Sequence, residues 1–253
     1  MADLYRPKKK YRLATLCRAC KARKAKSMNC IDLFHSWIET TGPELPALIW
    51  RRWYLDLAWG LVMSAFILAA IPRRQSVLNK ALVAGLTLLS CQLPDIWAPS
   101  YWLGLAFQAP SISSALLAAW FVQRRIRAQD EEQWVKPAVL WLAGLGVILG
   151  WLLLLDTLAL LPWSLFTMGF SALTPGLLML LALCPWMLSR AMDRDLAWAA
   201  FLLAVMCIFI VLRLPNGNFW NALLDPWLWL GLNGIVLRHV VRRLTPRQKI
   251  IKT

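Results

Sequence analysis

The C-terminal half of the chain contains three apolar runs, each about as long as a helix that crosses a lipid bilayer. They are Ala138–Leu155, Ser164–Met187 and Leu196–Leu212. A helix needs roughly 20 apolar residues to span the ~30 Å hydrocarbon core. The runs therefore predict an all-α protein, a polytopic transmembrane helix bundle.

Lysine and arginine alternate between the gaps that separate these runs. The gaps before the first and the third run contain basic residues, whereas residues 156–163 and 214–227 contain none. The basic residues of the two gaps are Arg124, Arg125, Arg127, Lys136, Arg190 and Arg194. Because Lys and Arg are retained on the cytoplasmic side, the alternation predicts a multi-pass protein of the cell inner (plasma) membrane with cytoplasmic N- and C-termini.

The charge of the chain is large and is concentrated at its two ends. The net charge is +15, and 16% of the residues are charged, against about 25% in an average soluble domain. Anionic headgroups attract such segments by about 1 kcal/mol for each basic residue near the surface. We therefore expect membrane lipids, and no nucleic acid, as partners of the tail. The tail residues expected to contact lipid are Lys8, Lys9, Lys10, Arg12, Arg18, Lys21, Arg23, Lys24 and Lys26.

The chain is expected to have three parts. Residues 1–45 form a basic cytoplasmic tail that is too polar to bury a core and is largely unstructured or associated with lipid. Residues 46–243 form the helical membrane domain, and residues 244–253 form a short basic C-terminal tail. The candidate helices lie near 53–71, 77–93, 101–122, 137–155, 163–188, 196–213 and 227–243.

The number of spans is in conflict with the charge of the tail. Seven crossing helices would place the N-terminal tail, together with Arg51 and Arg52, outside the cell, which is strongly disfavoured. Segment 77–93 is the weakest, because Asn79 and Lys80 interrupt its start. We therefore expect six spans, with residues 77–99 re-entrant or interfacial, and keep seven membrane helices as the alternative.

One set of residues in the tail resembles the ligands of a zinc site. It is Cys17-x2-Cys20-x9-Cys30-x4-His35. Thiolates and imidazole suit Zn²⁺, and a C-x2-C knuckle presents two sulfurs from one turn. Because the second half departs from the usual ligand spacing, the expectation is no cofactor, with zinc as the alternative.

Four polar residues of the membrane part are candidates for an intramembrane site. Three aspartates lie in segments without basic residues that also contain proline and tryptophan, namely Asp95 between Pro94 and Trp97, Asp156 before Pro162-Trp163, and Asp225 before Pro226-Trp227. Gln108 precedes Pro110, which breaks the helical hydrogen-bond ladder. Carboxylates within a membrane domain are functional candidates by default. The alternative for Asp225 is local, since Asp225-Pro226 is a good N-cap and N1 pair for the last helix.

The remaining signals concern packing and catalysis. Gly146-x3-Gly150 predicts a smooth helix face that allows close approach. The chain lacks G-x-S-x-G, H-E-x-x-H and a phosphate-binding glycine loop. We therefore expect a non-catalytic subunit, scaffold or assembly factor of a membrane complex. The alternatives are a small proton- or cation-coupled transporter (a permease) and a lipid-handling membrane enzyme.

Overall fold

The structure is a computed structural model that describes residues 45–127, 137–171, 173–191 and 197–244. All of them belong to one of the two units into which the chain divides, residues 40–253. The other unit, residues 1–39, lies outside the described residues, as do the C-terminal residues 245–253. The division predicted at residue 45 therefore stays a prediction.

The described part of the chain is all-helical, with no strand. Its ten α-helices are α1 (Leu48–Ala70), α2 (Val77–Ser90), α3 (Pro99–Phe107), α4 (Ile112–Ile126), α5 (Pro137–Thr157), α6 (Leu165–Met168), α7 (Leu173–Ala191), α8 (Ala197–Leu212), α9 (Phe219–Leu223) and α10 (Pro226–Leu244). A 3₁₀ turn at Asp95–Trp97 precedes α3.

Two of the predicted helices are broken in the structure. The segment 101–122 divides into α3 and α4 around Pro110, which has no N–H to donate. The segment 163–188 divides into the single turn α6 and the long helix α7. The other predicted helices are present, and α1 begins five residues earlier than expected, at Leu48.

Contacts between distant residues show that the helices run between two ends of the bundle. At one end, Arg52 contacts Asp95, and the hydroxyl of Tyr54 donates to the carbonyl oxygen of Pro110. At the other end, Arg125 of α4 donates to the carbonyl oxygens of Leu68 and Ile71. Helices α1 and α4 are therefore parallel, and α2 returns antiparallel between their ends.

The remaining helices run between the same two ends of the bundle. Asp225, which directly precedes α10, binds Ser111 at the start of α4, so α1, α4 and α10 all begin at the same end. Trp229 and Leu232 of α10 lie against Gly150 and Gly146 of α5, which makes this pair antiparallel. Seven helices, α1, α2, α4, α5, α7, α8 and α10, thus run between the two ends.

The two ends differ in charge. The four aspartates whose side chains are described, Asp56, Asp95, Asp156 and Asp225, all lie at the end where α1, α4 and α10 begin, which we call the acidic end. Most of the described basic side chains lie at the opposite end, which we call the basic end. They are Arg73, Arg74, Lys80, Arg124, Arg125, Arg127, Arg238, Arg242 and Arg243.

Two helices, Leu48–Ala70 and Leu140–Thr157 (the described window of α5), are long and apolar enough to cross a membrane. Large apolar side chains are exposed along most of the bundle, which is typical of a surface that faces lipid or a partner rather than water. The helices Val77–Ser90, Leu173–Cys184 and Trp198–Leu212 are apolar but shorter. Membrane insertion is thus indicated by two helices, and the expected six spans are not confirmed.

The main apolar core lies where α8 and α9 meet α4 and α7. Phe209 of α8 and Phe219 of α9 are fully buried and pack edge to face, with ring centroids 5.3 Å apart. Ile112, at the start of α4, is also buried in this cluster. The core therefore lies beside the acidic end and holds the irregular segments of that end in place.

Candidate functional site

The break between α3 and α4 is the irregular backbone segment closest to the predicted polar residues. Helix α3 ends at Phe107, and its C-cap residue Gln108 has a φ of 63°, in the left-handed region. Ser111 is the N-cap of α4, and its hydroxyl accepts the N–H of Ser114. Pro110 is the residue between them that prevents a continuous helix. The break frees backbone groups that must find other partners.

Two aromatic side chains of α1 satisfy the carbonyls of this break. The indole Nε1–H of Trp59 donates to the carbonyl oxygen of Gln108 at 2.9 Å. The hydroxyl of Tyr54 donates to the carbonyl oxygen of Pro110 at 2.8 Å. Buried Tyr and Trp usually find such partners for their polar atoms. The side chains of α1 therefore satisfy two carbonyls that the break leaves without a helical partner.

Asp225 accepts a backbone N–H that the same break leaves without a helical partner. Its Oδ2 accepts the backbone N–H of Ser111 at 2.8 Å, and its Oδ1 accepts that of Leu228, in the first turn of α10, at 2.7 Å. Asp225 is buried, with only 8% of its surface exposed. The starts of two helices carry partial positive charge, which favours a carboxylate between them. The predicted N-cap role of Asp225 is confirmed, and the second bond to Ser111 was not predicted.

Asp95 and Gln108 lie near this segment but are used differently. Asp95 forms an ion pair with Arg52 at 2.7 Å, and both side chains are largely exposed. The side chain of Gln108 is also exposed, and only its carbonyl oxygen joins the break. Exposed ion pairs contribute little, about 0–1 kcal/mol. Neither side chain therefore belongs to a buried site.

Asp156 lies at the acidic end beside α6 rather than beside the break. Its Oδ2 accepts the backbone N–H of Phe166. Two residues that precede or begin α9 hold the same turn, since Asn218 donates to the carbonyl oxygen of Phe166 and Trp220 to that of Leu165. Asp156 thus fixes the turn α6 to the end of α5.

The structure does not bring the predicted polar residues together. Among the described residues, Asp95, Asp156 and Asp225 each bind a separate partner, and no hydrogen bond joins any two of them. The structure does bring Asp225 to the break between α3 and α4. The Ser113 hydroxyl in the first turn of α4 is buried and has no hydrogen-bond partner among the described residues. We call Tyr54, Trp59, Ser111, Ser113 and Asp225 the break cluster.

Sequence reasoning overlooked the residues of α1 and α9 in these contacts. Tyr54 and Trp59 look like interfacial aromatics, and nothing in their local pattern indicates a proline break 50 residues later. Asn218 precedes the apolar pair Phe219-Trp220 and is an N-cap whose side chain accepts the N–H of Trp220. That signal is readable from the sequence, because Asn is a preferred N-cap.

A Tyr54→Phe variant tests whether α1 holds the break. The variant removes only the hydroxyl, so the half-buried carbonyl of Pro110 loses its donor. We expect the free energy of unfolding to fall by about 1–2 kcal/mol. The measurement is thermal or denaturant unfolding in mild detergent. Tyr101→Phe is the matched control, since its hydroxyl makes none of the hydrogen bonds described at the break. An equal effect of both variants would contradict the assignment.

Metal ligands do not cluster in the part of the chain that the structure describes. No group of three or more His, Cys, Asp or Glu side chains there can hold a metal ion. The predicted zinc ligands Cys17, Cys20, Cys30 and His35 lie outside the described residues, as do the lipid-contacting basic residues from Lys8 to Lys26. The zinc site and the tail-lipid contact therefore stay predictions.

Comparison with protein-family models, with curated proteins and with solved structures finds no match for this chain. The function of the chain is therefore inferred from the geometry of the described residues. A helical fold alone does not imply a function.

Proposed function

We propose that this chain is an integral membrane protein that acts as a non-catalytic subunit, scaffold or assembly factor of a larger membrane complex. The observation that carries the proposal is the use of the aspartates. Each of the four described aspartates is bound to a side chain or a backbone N–H of the chain itself, in contacts that join helices or cap them. Carboxylates with such partners stabilise the packing and the starts of the helices, which favours a structural role for them over substrate binding.

The proposed placement is the inner (plasma) membrane, with the basic end toward the cytoplasm. The cluster of arginines at that end is typical of cytoplasmic loops, and the exposed apolar side chains between the ends suit contact with lipid. This orientation puts the end of α10 inside. Because α1 and α10 begin at the same end, the packing favours seven crossing helices, the alternative with an exported tail, over six spans with both termini cytoplasmic.

The surface proposed to meet a partner is the outer face of α5. Only 6% of the residues in its membrane-length window are buried, against 28% for α1. The exposed residues on this face recur at helical spacing and are Trp141, Leu145, Ile148 and Leu152. In lipid, the association of helices depends on packing rather than on a hydrophobic driving force. A long helix that packs so little against its own chain therefore has most of its surface available to another subunit.

A photo-crosslinking amino acid at Ile148 tests the proposal in the membrane. We expect a discrete, stoichiometric protein adduct, which electrophoresis and mass spectrometry would identify. The matched control is the same amino acid at Leu86 of α2, which is exposed to a similar extent, 65% against 59%, but lies on a helix that packs against both α1 and α4. The scaffold proposal would be overturned if both positions formed adducts with lipid only and the protein was a solitary monomer in mild detergent.

A second candidate function is a small proton- or cation-coupled transporter, and the break cluster is what favours it. Interrupted helices with freed backbone groups occur at ion sites in transporters, and the buried hydroxyl of Ser113 finds no partner in the part of the chain that the structure describes. Its weakness is that Tyr54, Trp59 and Asp225 already satisfy the break. The third candidate, a lipid-handling enzyme, has less support, because the acids of the acidic end do not converge.

A further inference from the structure

Helix α3 crosses α1 steeply instead of running beside it. Near its start, the hydroxyl of Ser100 donates to Oδ1 of Asp56 at 2.6 Å. Directly after its end, the carbonyl oxygen of Gln108 accepts the indole N–H of Trp59 at 2.9 Å. The positions of Asp56 and Trp59 differ by about 4.5 Å along the axis of α1, whereas the nine residues of α3 extend over about 13 Å. Both ends of α3 therefore lie at nearly the same height of the bundle.

The aromatic contacts of α3 show the same sideways course. A Cβ at Gly104, in the middle of α3, would lie 2.9 Å from the side chain of Leu55 in α1. The ring of Phe107 lies 6.3 Å from that of Trp59 and 5.1 Å from that of Trp227, at the start of α10. Helix α3 thus extends from α1 toward α10. If α1 crosses a bilayer, α3 lies close to the plane of that bilayer.

The outward face of α3 is apolar. Helix Pro99–Phe107 has no charged residue, and its polar side chain Ser100 is buried against Asp56. A helix that covers a protein in water shows the opposite pattern, with polar side chains outward. The exposed large side chains of α3 are Tyr101, Trp102, Leu105 and Phe107. This face therefore suits an apolar surrounding, and Leu57 of α1, at the same height, is exposed beside it.

The indole groups before and within α3 are typical of the boundary between a bilayer and water. Trp97 is exposed in the 3₁₀ turn that precedes α3. The Nε1–H of Trp102 donates to the carbonyl oxygen of Ile96 at 2.9 Å, so its polar atom has a partner and its carbon ring remains exposed. Trp and Tyr concentrate at both interfaces of a membrane. The composition of this face thus favours lipid as its occupant.

The height of α3 along α1 agrees with such a boundary. The exposed ion pair between Arg52 and Asp95 lies on the outer side of α3, where charged groups meet water. Asp56, which α3 contacts, is about 6 Å further along α1 than Arg52. Helices that lie in a bilayer interface bury their apolar face by roughly 5–10 Å. The ion pair therefore lies at headgroup height, and α3 lies where the acyl chains begin.

We infer that α3 is an interfacial helix that binds the lipid of the leaflet at the acidic end and lies in the plane of the bilayer. Trp97, Trp102 and Leu105 contact the lipid at the boundary between headgroups and acyl chains. Ser100, on the opposite face, gives the carboxylate of Asp56 a hydrogen-bond donor that acyl chains cannot supply. The inference rests on the proposed membrane placement.

The test measures the depth of α3 in vesicles of phosphatidylcholine. A fluorescent amino acid replaces Leu105 or, as the matched control, Leu86 of α2 in the full chain. The two side chains are exposed equally, 66% and 65%, so neither probe replaces a core residue. Leu86 lies deeper, because its neighbours in α2 contact Gly60 and Ser64 of α1.

Brominated lipids quench a probe at the depth of their bromine atoms. For Leu105, we expect lipids brominated near the ester end to quench at least about twofold more than lipids brominated near the end of the acyl chain, as for a helix at the interface. For Leu86, we expect the reverse order. The same order at both positions would overturn the inference. Quenching of Leu86 without quenching of Leu105 would also overturn it and leave the membrane placement intact, whereas quenching at neither position contradicts that placement.

A photo-crosslinking amino acid at Leu105 in cell membranes distinguishes lipid from a protein partner. We expect adducts with phospholipid, which mass spectrometry identifies. A discrete, stoichiometric protein adduct would show that another subunit covers α3, and lipid would then be the wrong occupant. The result at Leu105 is independent of the one at Ile148, since the two positions lie on α3 and α5.

Discussion

An Asp225→Ala variant is expected to lose about 3–5 kcal/mol of unfolding free energy, the largest effect of any single substitution considered. The variant removes a carboxylate that accepts two backbone N–H groups, from Ser111 at 2.8 Å and from Leu228 at 2.7 Å. Charge-assisted hydrogen bonds contribute roughly 1.5–3 kcal/mol each. The N–H of Ser111 is buried, so its loss of a partner adds the penalty of an unsatisfied donor.

The measurement is unfolding in mixed detergent micelles, followed by tryptophan fluorescence. Asp225→Asn should fall between the wild type and Asp225→Ala, because the amide keeps one oxygen acceptor but has no charge. Asp95→Ala is the matched control, since Asp95 is an exposed carboxylate of the same end whose ion pair contributes about 0–1 kcal/mol. A loss in Asp225→Ala no larger than in Asp95→Ala would show that the carboxylate does not join α4 to α10.

The same variants distinguish the two leading functions. If Asp225 is an architectural residue, the loss of activity in Asp225→Asn follows the loss of stability, and a condition that restores the fold restores the function. If Asp225 is a proton- or cation-binding residue, a stably folded Asp225→Asn protein has no transport. The comparison is made at a temperature well below the unfolding midpoint of each variant.

Helix positions could be predicted well from the sequence, because they depend on local apolarity and on caps. The segments 137–155 and 227–243 appear as α5 and α10 with ends that differ by at most two residues. The cap at Asp225 was also predicted, since the Asp-Pro pair acts on its own helix. These features require no knowledge of distant residues, which is why a linear pattern contains them.

The partners of the break could not be predicted in this way. The presence of Pro110 indicates that backbone carbonyls lose their helical partners. It does not indicate that Tyr54 and Trp59 donate hydrogen bonds to those carbonyls. The bond from Ser111 to Asp225 joins residues 114 positions apart. Likewise, Lys80 looks like an interruption of a weak helix, whereas in the structure it fixes the preceding turn. Such roles depend on tertiary packing, which the periodicity of one segment does not encode.

Segment 77–93 shows the same limit of prediction from sequence. The weakness of segment 77–93 in the sequence comes from Asn79 and Lys80, and both find partners within the turn before α2. With those groups satisfied, α2 packs along α1, and the irregular backbone lies after it, between Cys91 and Ser111. Helix α2 therefore includes Asn79 and Lys80 in spite of their polarity, and at 14 residues it is one of the apolar helices that are shorter than a membrane span.

The glycine pattern of α5 leads to a prediction in which two similar variants change stability in opposite directions. A Cβ at Gly150 would overlap the indole of Trp229, whose Nε1–H donates to the carbonyl oxygen of Val147 at 3.2 Å. Gly150→Ala is therefore expected to cost about 1–3 kcal/mol, as overpacking does, and to separate α10 from α5. The face predicted from Gly146-x3-Gly150 is thus occupied by α10, with Leu232 lying over Gly146.

Gly144→Ala is the matched control, on the same helix and less than two turns away. A Cβ there meets nothing within 4 Å, so the substitution only removes the backbone freedom of glycine and should stabilise the helix by about 0.5–1 kcal/mol. Both free energies are measured in the same detergent titration. Equal signs for the two variants would show that the contact between Gly150 and Trp229 does not hold α5 against α10, because only that contact distinguishes the two positions.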